Sequence, residues 1–117
     1  MTTALNGLNF QFTEEHLAVQ QAARDFAQTE LLSGVIERDE KEFFPEELVR
    51  KMGEMGFLGM MVSPEYGGGG MDYISYGLIM QEVERGDSGV RSTASVQGSL
   101  VMFPIYAYGS EEQRRKY

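Results

Sequence analysis

Between Ser88 and Gly109 the chain reads SGVRSTASVQGSLVMFPIYAYG, and Arg91 is the one permanently charged side chain in it. On a helix, Arg91, Ser95 and Gly98 share a face at offsets of four and seven, flanked by Ser92 and Ser99, so a guanidinium heads a stripe of small and polar residues. Val96, Leu100 and Phe103 are expected to bury the other side, which puts Arg91 at the rim of a core where an unpaired cation is costly. It needs an anion, and two sources are open. An internal carboxylate, from Glu84 or Asp87, would neutralise it as an ion pair. A ligand carboxylate would use the planar fork and the neighbouring hydroxyls, an arrangement suited to gripping an acid end.

The other groups able to do chemistry read as structural. Gly67 to Gly70 lack the Lys-Ser/Thr that follows a phosphate loop, and Asp72 or Tyr73 stands where the third glycine of a G-x-G-x-x-G pattern belongs, so a tight connector between helices is expected. His16 is the only histidine and has no glutamate three residues before it, so the Glu-x-x-His pairs of di-iron bundles are missing; a surface helix position is expected. There is no Ser/His/Asp or Cys/His set. Glu82, Glu84 and Asp87 read as one charged helix terminus, and the methionine-rich faces as core filler.

A net charge of −8, with no basic block outside Arg114, Arg115 and Lys116, leaves no footprint for a nucleic-acid backbone or an anionic membrane. The opening MTTALNGLNF has neither a signal-peptide nor a transit-peptide pattern, from which a cytoplasmic location is expected. Ser92 to Gly109 is uncharged, yet Gln97, Pro104 and several serines argue against a membrane span. The absence of cysteine excludes disulfides and thiolate metal sites.

The elements that must position Arg91 follow from caps and periodicity. Thr13 caps a first helix running to about Leu32, with Glu14 and Glu15 in its first turn and Phe12 and Leu17 placed as a hydrophobic staple. VIERDEKEFF reads as a charged connector anchored by Val35, Ile36, Phe43 and Phe44. Pro45 opens a helix with Leu48, Met52 and Met55 on one face, stopped by Gly56. After a loop to Met71, Asp72 caps a mostly buried helix ending near Gly86, and Asp87 or Ser88 starts the Arg91 segment, bent or ended near Pro104. Ser110 and Gln113 form a capping box that opens a helix cut off about two turns in, at Tyr117, which suggests a fragment of a longer protein. No strand-period alternation appears. The class is all-α, a single domain over residues 1–117 with about five helices.

FTEEHLAVQQAARDFAQTEL, then FPEELVRKMGEMGFLGMMVSPEYGGGGMDY, then YGLIMQEVERGDSG, in this order and spacing, resemble the N-terminal helical domain of flavin-dependent acyl-CoA dehydrogenases. The resemblance covers almost the whole chain. DSGVRSTASVQGSLVMFPIYAYGSEEQRRKY is similar to the branch of that family acting on glutaryl-CoA. That resemblance implies that Arg91 grips the distal carboxylate of a dicarboxylyl thioester, with Ser92 assisting, Ser95 lining the same pocket and Glu84 orienting the guanidinium. It also implies a whole enzyme with a middle β domain and a C-terminal helical bundle, assembled as a homotetramer. FAD, bound mainly by those later domains, accepts hydride from an acyl-CoA, the glutaryl branch goes on to lose carbon dioxide, and electrons pass to electron-transfer flavoprotein. The base lies in those domains too, so no catalytic residue is assigned here and no turnover is expected of these 117 residues alone. Two rivals stand beside this reading: a straight-chain acyl-CoA dehydrogenase with Arg91 paired internally, and an autonomous helical interaction module.

Overall fold

The computed structural model of the chain describes residues 7–117. Much of the opening MTTALNGLNF, on which the cytoplasmic expectation rests, lies outside them. Helix α1 (Glu14–Phe26) starts where Thr13 Oγ1 accepts the His16 backbone N–H, and His16 Nδ1 accepts the Thr13 N–H in return. Histidine thus fills the capping-box position usually held by glutamate or glutamine. The helical path does not end near Leu32. A π turn (Ala27–Leu31) and a 3₁₀ turn (Leu32–Gly34) carry it into α2 (Val35–Glu40). The expected connector is therefore helical in its first half, where Lys41 Nζ meets Glu37 at 2.7 Å one turn away and the charged face is simply solvated.

Pro45 precedes α3 (Glu46–Glu54), and Gly56, at φ 85°, stops it in the left-handed region that favours glycine. Loop 57–71 then folds on itself. The N–H groups of Gly67, Gly68, Gly69 and Gly70 bond to the carbonyls of Pro64, Ser63, Gly59 and Val62. A Cβ at Gly68 would stand 2.1 Å from the Val62 oxygen, so this residue is glycine because backbone passes against backbone. The run is the tight connector expected, and its donors are already spent on the loop.

Helix α4 (Tyr73–Gly86) is capped by Asp72, which accepts the Ser75 N–H, and α5 (Ser88–Ser95) by Asp87, which accepts the Val90 N–H. A π turn (Val96–Met102) leads into α6 (Phe103–Tyr108), with Pro104 in its first turn, and α7 (Glu111–Lys116) carries the full Ser110/Gln113 capping box. No strand is present among the described residues, in keeping with the all-α class.

Ala23, Phe26, Ala27 and Leu31 pack against Ile79, Val83, Val90 and Ala94, with Met52, Phe57 and Met60 closing the core. The methionines Met52, Met60 and Met80 act as filler, as expected. Four expectations fail. Val96, Leu100 and Phe103 are exposed, because Val90 and Ala94 set the buried face of this segment and those three positions lie well over 60° away from it around the helix. Ile36, Phe43 and Phe44 also face outward and do not anchor. Phe12 and Leu17 form no buried staple; the Phe12 ring instead meets His16 edge-on at 6.3 Å. His16 is buried, because Asp72 Oδ2 reaches its Nε2 at 2.8 Å and ties the start of α1 to the start of α4. Among the described residues no helix is long and apolar enough to cross a membrane.

Candidate functional site

Glu84 lies in the last turns of α4, and Arg91, Ser92 and Ser95 lie on α5. On one straight helix, residues seven apart would stand about 10.5 Å from each other along the axis. Asp87 breaks the path with extended backbone (φ −159°, ψ 107°) and serves both as the end cap of α4 and the start cap of α5. Across that corner Arg91 Nε donates to Glu84 Oε2 at 2.6 Å. Arg91 Nη1 donates to Ser95 Oγ at 2.8 Å, and Ser95 Oγ donates in turn to the Ser92 carbonyl at 3.1 Å. Ser88 Oγ donates to the other Glu84 oxygen at 2.9 Å.

The hydrogen bond from Arg91, with a second from Ser88, holds the Glu84 carboxyl below the usual carboxylate range, so it is ionised at neutral pH. The Arg91 side chain is 31% exposed. It is neither in bulk water nor fully consumed: Nη2 has no protein hydrogen-bond partner among the described residues. Arg91, Ser95 and Glu84 thus come together. The Ser92 hydroxyl is not in this set; Ser92 lines a concavity of about 390 Å³ with Val49, Leu58, Thr93, Val96 and Gln97, which Arg91, Ser95 and Glu84 do not line.

The three acids read as one helix terminus have three separate fates. Glu82 points inward, 1% exposed, and Arg24 meets it at 2.9 Å with Arg85 at 3.6 Å. The Arg24 hydrogen bond keeps its carboxyl low despite burial. Glu84 takes Arg91. Asp87 takes Arg38, at 2.8 Å, and so is not the partner of Arg91. Arg38 escaped sequence reasoning; its one signal is Gly34 a turn earlier, where a Cβ would stand 2.7 Å from Arg38 Nη1.

Chemically, the arrangement offers a fixed guanidinium with one free amino group beside hydroxyls, suited to holding an acid end. It contains no base or nucleophile poised for bond making. Among the described residues no group of His, Cys, Asp and Glu could hold a metal ion.

Residues 13–117 match the acyl-CoA dehydrogenase N-terminal domain. The chain belongs to this family. It is 38% identical over 107 residues to the human mitochondrial short-chain specific acyl-CoA dehydrogenase, covering 92% of this chain and 26% of that protein. Among solved structures it is similar to a chain of the electron transferring flavoprotein of Acidaminococcus fermentans, with TM-score 0.90 and 40% identity over 94% of this chain and 29% of that one. It is also similar to glutaryl-CoA dehydrogenase from Mycobacterium smegmatis in complex with FADH2, with TM-score 0.86 and 42% identity over 91% of this chain and 27% of that one. The acyl-CoA dehydrogenase domain described here therefore spans about a quarter of the length of the curated relatives it matches. The backbone donors of the glycine run are used internally, and no buried side-chain polar atom among the described residues lacks a partner.

Proposed function

We propose that this domain forms one wall of the acyl pocket in a flavin-dependent acyl-CoA dehydrogenase, and that Arg91 selects an acyl chain ending in a free carboxylate, as in glutaryl-CoA. The observation that carries the reading is the free Nη2 of Arg91, held in place because Nε is fixed by Glu84 and Nη1 by Ser95. Glu84 already balances the cation, so an incoming acid is held by directed hydrogen bonds more than by net charge. Ser95 keeps the fork oriented, and Ser92, one residue on from Arg91, assists from the concavity that it lines. The likeness to a glutaryl-CoA dehydrogenase and to an electron transferring flavoprotein chain supports glutaryl-CoA as substrate, its oxidation with loss of carbon dioxide to crotonyl-CoA, and electron-transfer flavoprotein as electron acceptor. In this reading FAD and the base are held by parts of a homotetrameric enzyme outside this chain, and the domain alone has no turnover.

The test is Arg91→Ala in the full-length enzyme, assayed on glutaryl-CoA and butyryl-CoA. A charge-assisted hydrogen bond contributes about 1.5–3 kcal/mol, so kcat/KM for glutaryl-CoA should fall about 10- to 100-fold, mostly through KM, with butyryl-CoA changed by less than about 3-fold. Equal losses on both substrates defeat the selectivity claim.

One observation favours a second reading. The 2.6 Å contact with Glu84 neutralises Arg91 internally, which suits a short-chain enzyme like the human relative, with Arg91 as a brace. That enzyme would oxidise butyryl-CoA and ignore glutaryl-CoA.

A further inference from the structure

The contact between Glu84 and Arg91 depends on a corner one residue long. Glu84 stands three residues before Asp87 and Arg91 four after it, so a small change in the Asp87 backbone or in the angle between α4 and α5 moves the two side chains apart. Asp87 is held from two sides. Its Oδ1 accepts the Val90 N–H at 3.1 Å, starting α5, and its Oδ2 accepts Nε and Nη2 of Arg38 at 3.1 and 2.8 Å. Arg38 Nη2 also donates to the Leu31 carbonyl, tying the corner to the end of the π turn. The Arg38 and Asp87 side chains are only 13% and 12% exposed, so water does not readily substitute for either partner.

The surrounding backbone makes room for this arrangement. The helix pauses in a 3₁₀ turn at Gly34, and an added Cβ there would strike the Arg38 guanidinium. A Cβ at Gly86 would come within 2.9 Å of the Ala27 carbonyl oxygen, so the end of α4 lies directly on the π turn whose Leu31 carbonyl Arg38 also holds. Among the described residues Arg38 makes its hydrogen bonds to Asp87 and the Leu31 carbonyl, and none to Arg91, Glu84 or Ser95.

We propose that Arg38 is a positioning residue, which by clamping Asp87 fixes the α4–α5 corner and so holds Arg91 against Glu84 with its free amino group aimed at the acyl chain. This rests on the reading of Arg91 as the carboxylate clamp. The experiment has two readouts, on wild type, Arg38→Met and Arg38→Lys. In the 117-residue chain, NMR of the Arg91 Nε–H measures its protection from solvent exchange. In the full-length flavoenzyme, kcat/KM is compared on glutaryl-CoA and butyryl-CoA.

Arg38→Met is expected to speed Arg91 Nε–H exchange about 10-fold or more and to lower the glutaryl-to-butyryl preference by a similar factor, since small misplacements of a positioned group have effects of this order. Arg38→Lys, which keeps one charged donor for Asp87, should restore part of both. Undiminished Arg91 protection in a folded Arg38→Met chain overturns the inference. Should Arg38→Met fail to fold, Asp87→Ser keeps a helix cap while removing the arm Arg38 holds, and the same two outcomes apply. Faster exchange with unchanged preference upholds Arg38 as positioner and overturns the substrate reading. Unchanged protection in Arg38→Met, with preference lost in Arg91→Ala, overturns the inference and leaves the substrate reading standing.

Discussion

Glu82 shows how this domain tolerates a charge in its core. The carboxylate is 1% exposed, and Arg24, Arg85 and the Gln20 amide are its only partners among the described residues. Arg24 reaches out to solvent while Glu82 does not, so the two halves of the pair are unequal. Removing Arg24 strands a buried carboxylate with the longer Arg85 contact, which should cost about 2–4 kcal/mol. Arg50→Ala, which breaks the exposed Glu46–Arg50 pair, is expected to cost less than about 0.5 kcal/mol. Urea unfolding of the two variants measures this difference, and similar midpoints would refute the asymmetry. At this scale some of the site was legible. Arg91 stood out because a lone cation in an apolar run needs an anion, and Glu84 was one of two carboxylates within reach. Glu82 is separated from Glu84 and Asp87 in space although it is near them in sequence. Positions 82 and 84 are about 200° apart around a helix, so one faces in and the other out. Arg38 carried almost no signal, since its partner lies 49 residues away.

At the scale of elements, starts were legible and turns of altered register were not. Thr13, Asp72, Asp87 and Ser110 all cap as their residue types predict, because the side chain itself makes the bond that begins the helix. The two π turns shift the backbone ladder by one residue, and no residue type announces that shift. The α4 cap yields a pH prediction. The Ser75 backbone N–H, then His16, lower the Asp72 carboxyl from 3.8 to about 2. A depressed carboxyl stabilises the fold fully above its unfolded value and loses that contribution as pH falls through its folded one, here between about pH 4 and 2. Asp72→Asn keeps a capping oxygen but has no charge to lose. In urea unfolding from about pH 5 to 2, the stability gap between wild type and Asp72→Asn should close with acid, which also subtracts the effect of other carboxylates. A gap that stays constant would show that the Asp72 charge contributes nothing.

The whole molecule is a slab. Its extents are 52 × 39 × 19 Å, little more than two helices thick, and its radius of gyration is 16.0 Å where a compact chain of this length has about 13 Å. The exposed surface, 7980 Å², likewise exceeds the roughly 6400 Å² typical of a monomer of this mass. Composition could not foretell this, because 42% hydrophobic residues is ordinary and says nothing of which ones end up inside. Leu100, Val101, Phe103, Tyr106 and Tyr108 form an exposed apolar run from the second π turn through α6, and Leu100 and Phe103 among them are residues expected to bury in the core. A patch of that kind on an isolated chain favours association. Sedimentation velocity of the 117-residue chain should therefore give a weight-average mass above 13.1 kDa that rises with concentration. Leu100, at 68% exposure, packs little within the chain, so Leu100→Lys should shift the distribution toward monomer without lowering the thermal midpoint. A wild-type chain that stays monomeric at every concentration would mean that this face is tolerated in water, and the reading of the slab as one wall of a larger enzyme would lose its support at this scale.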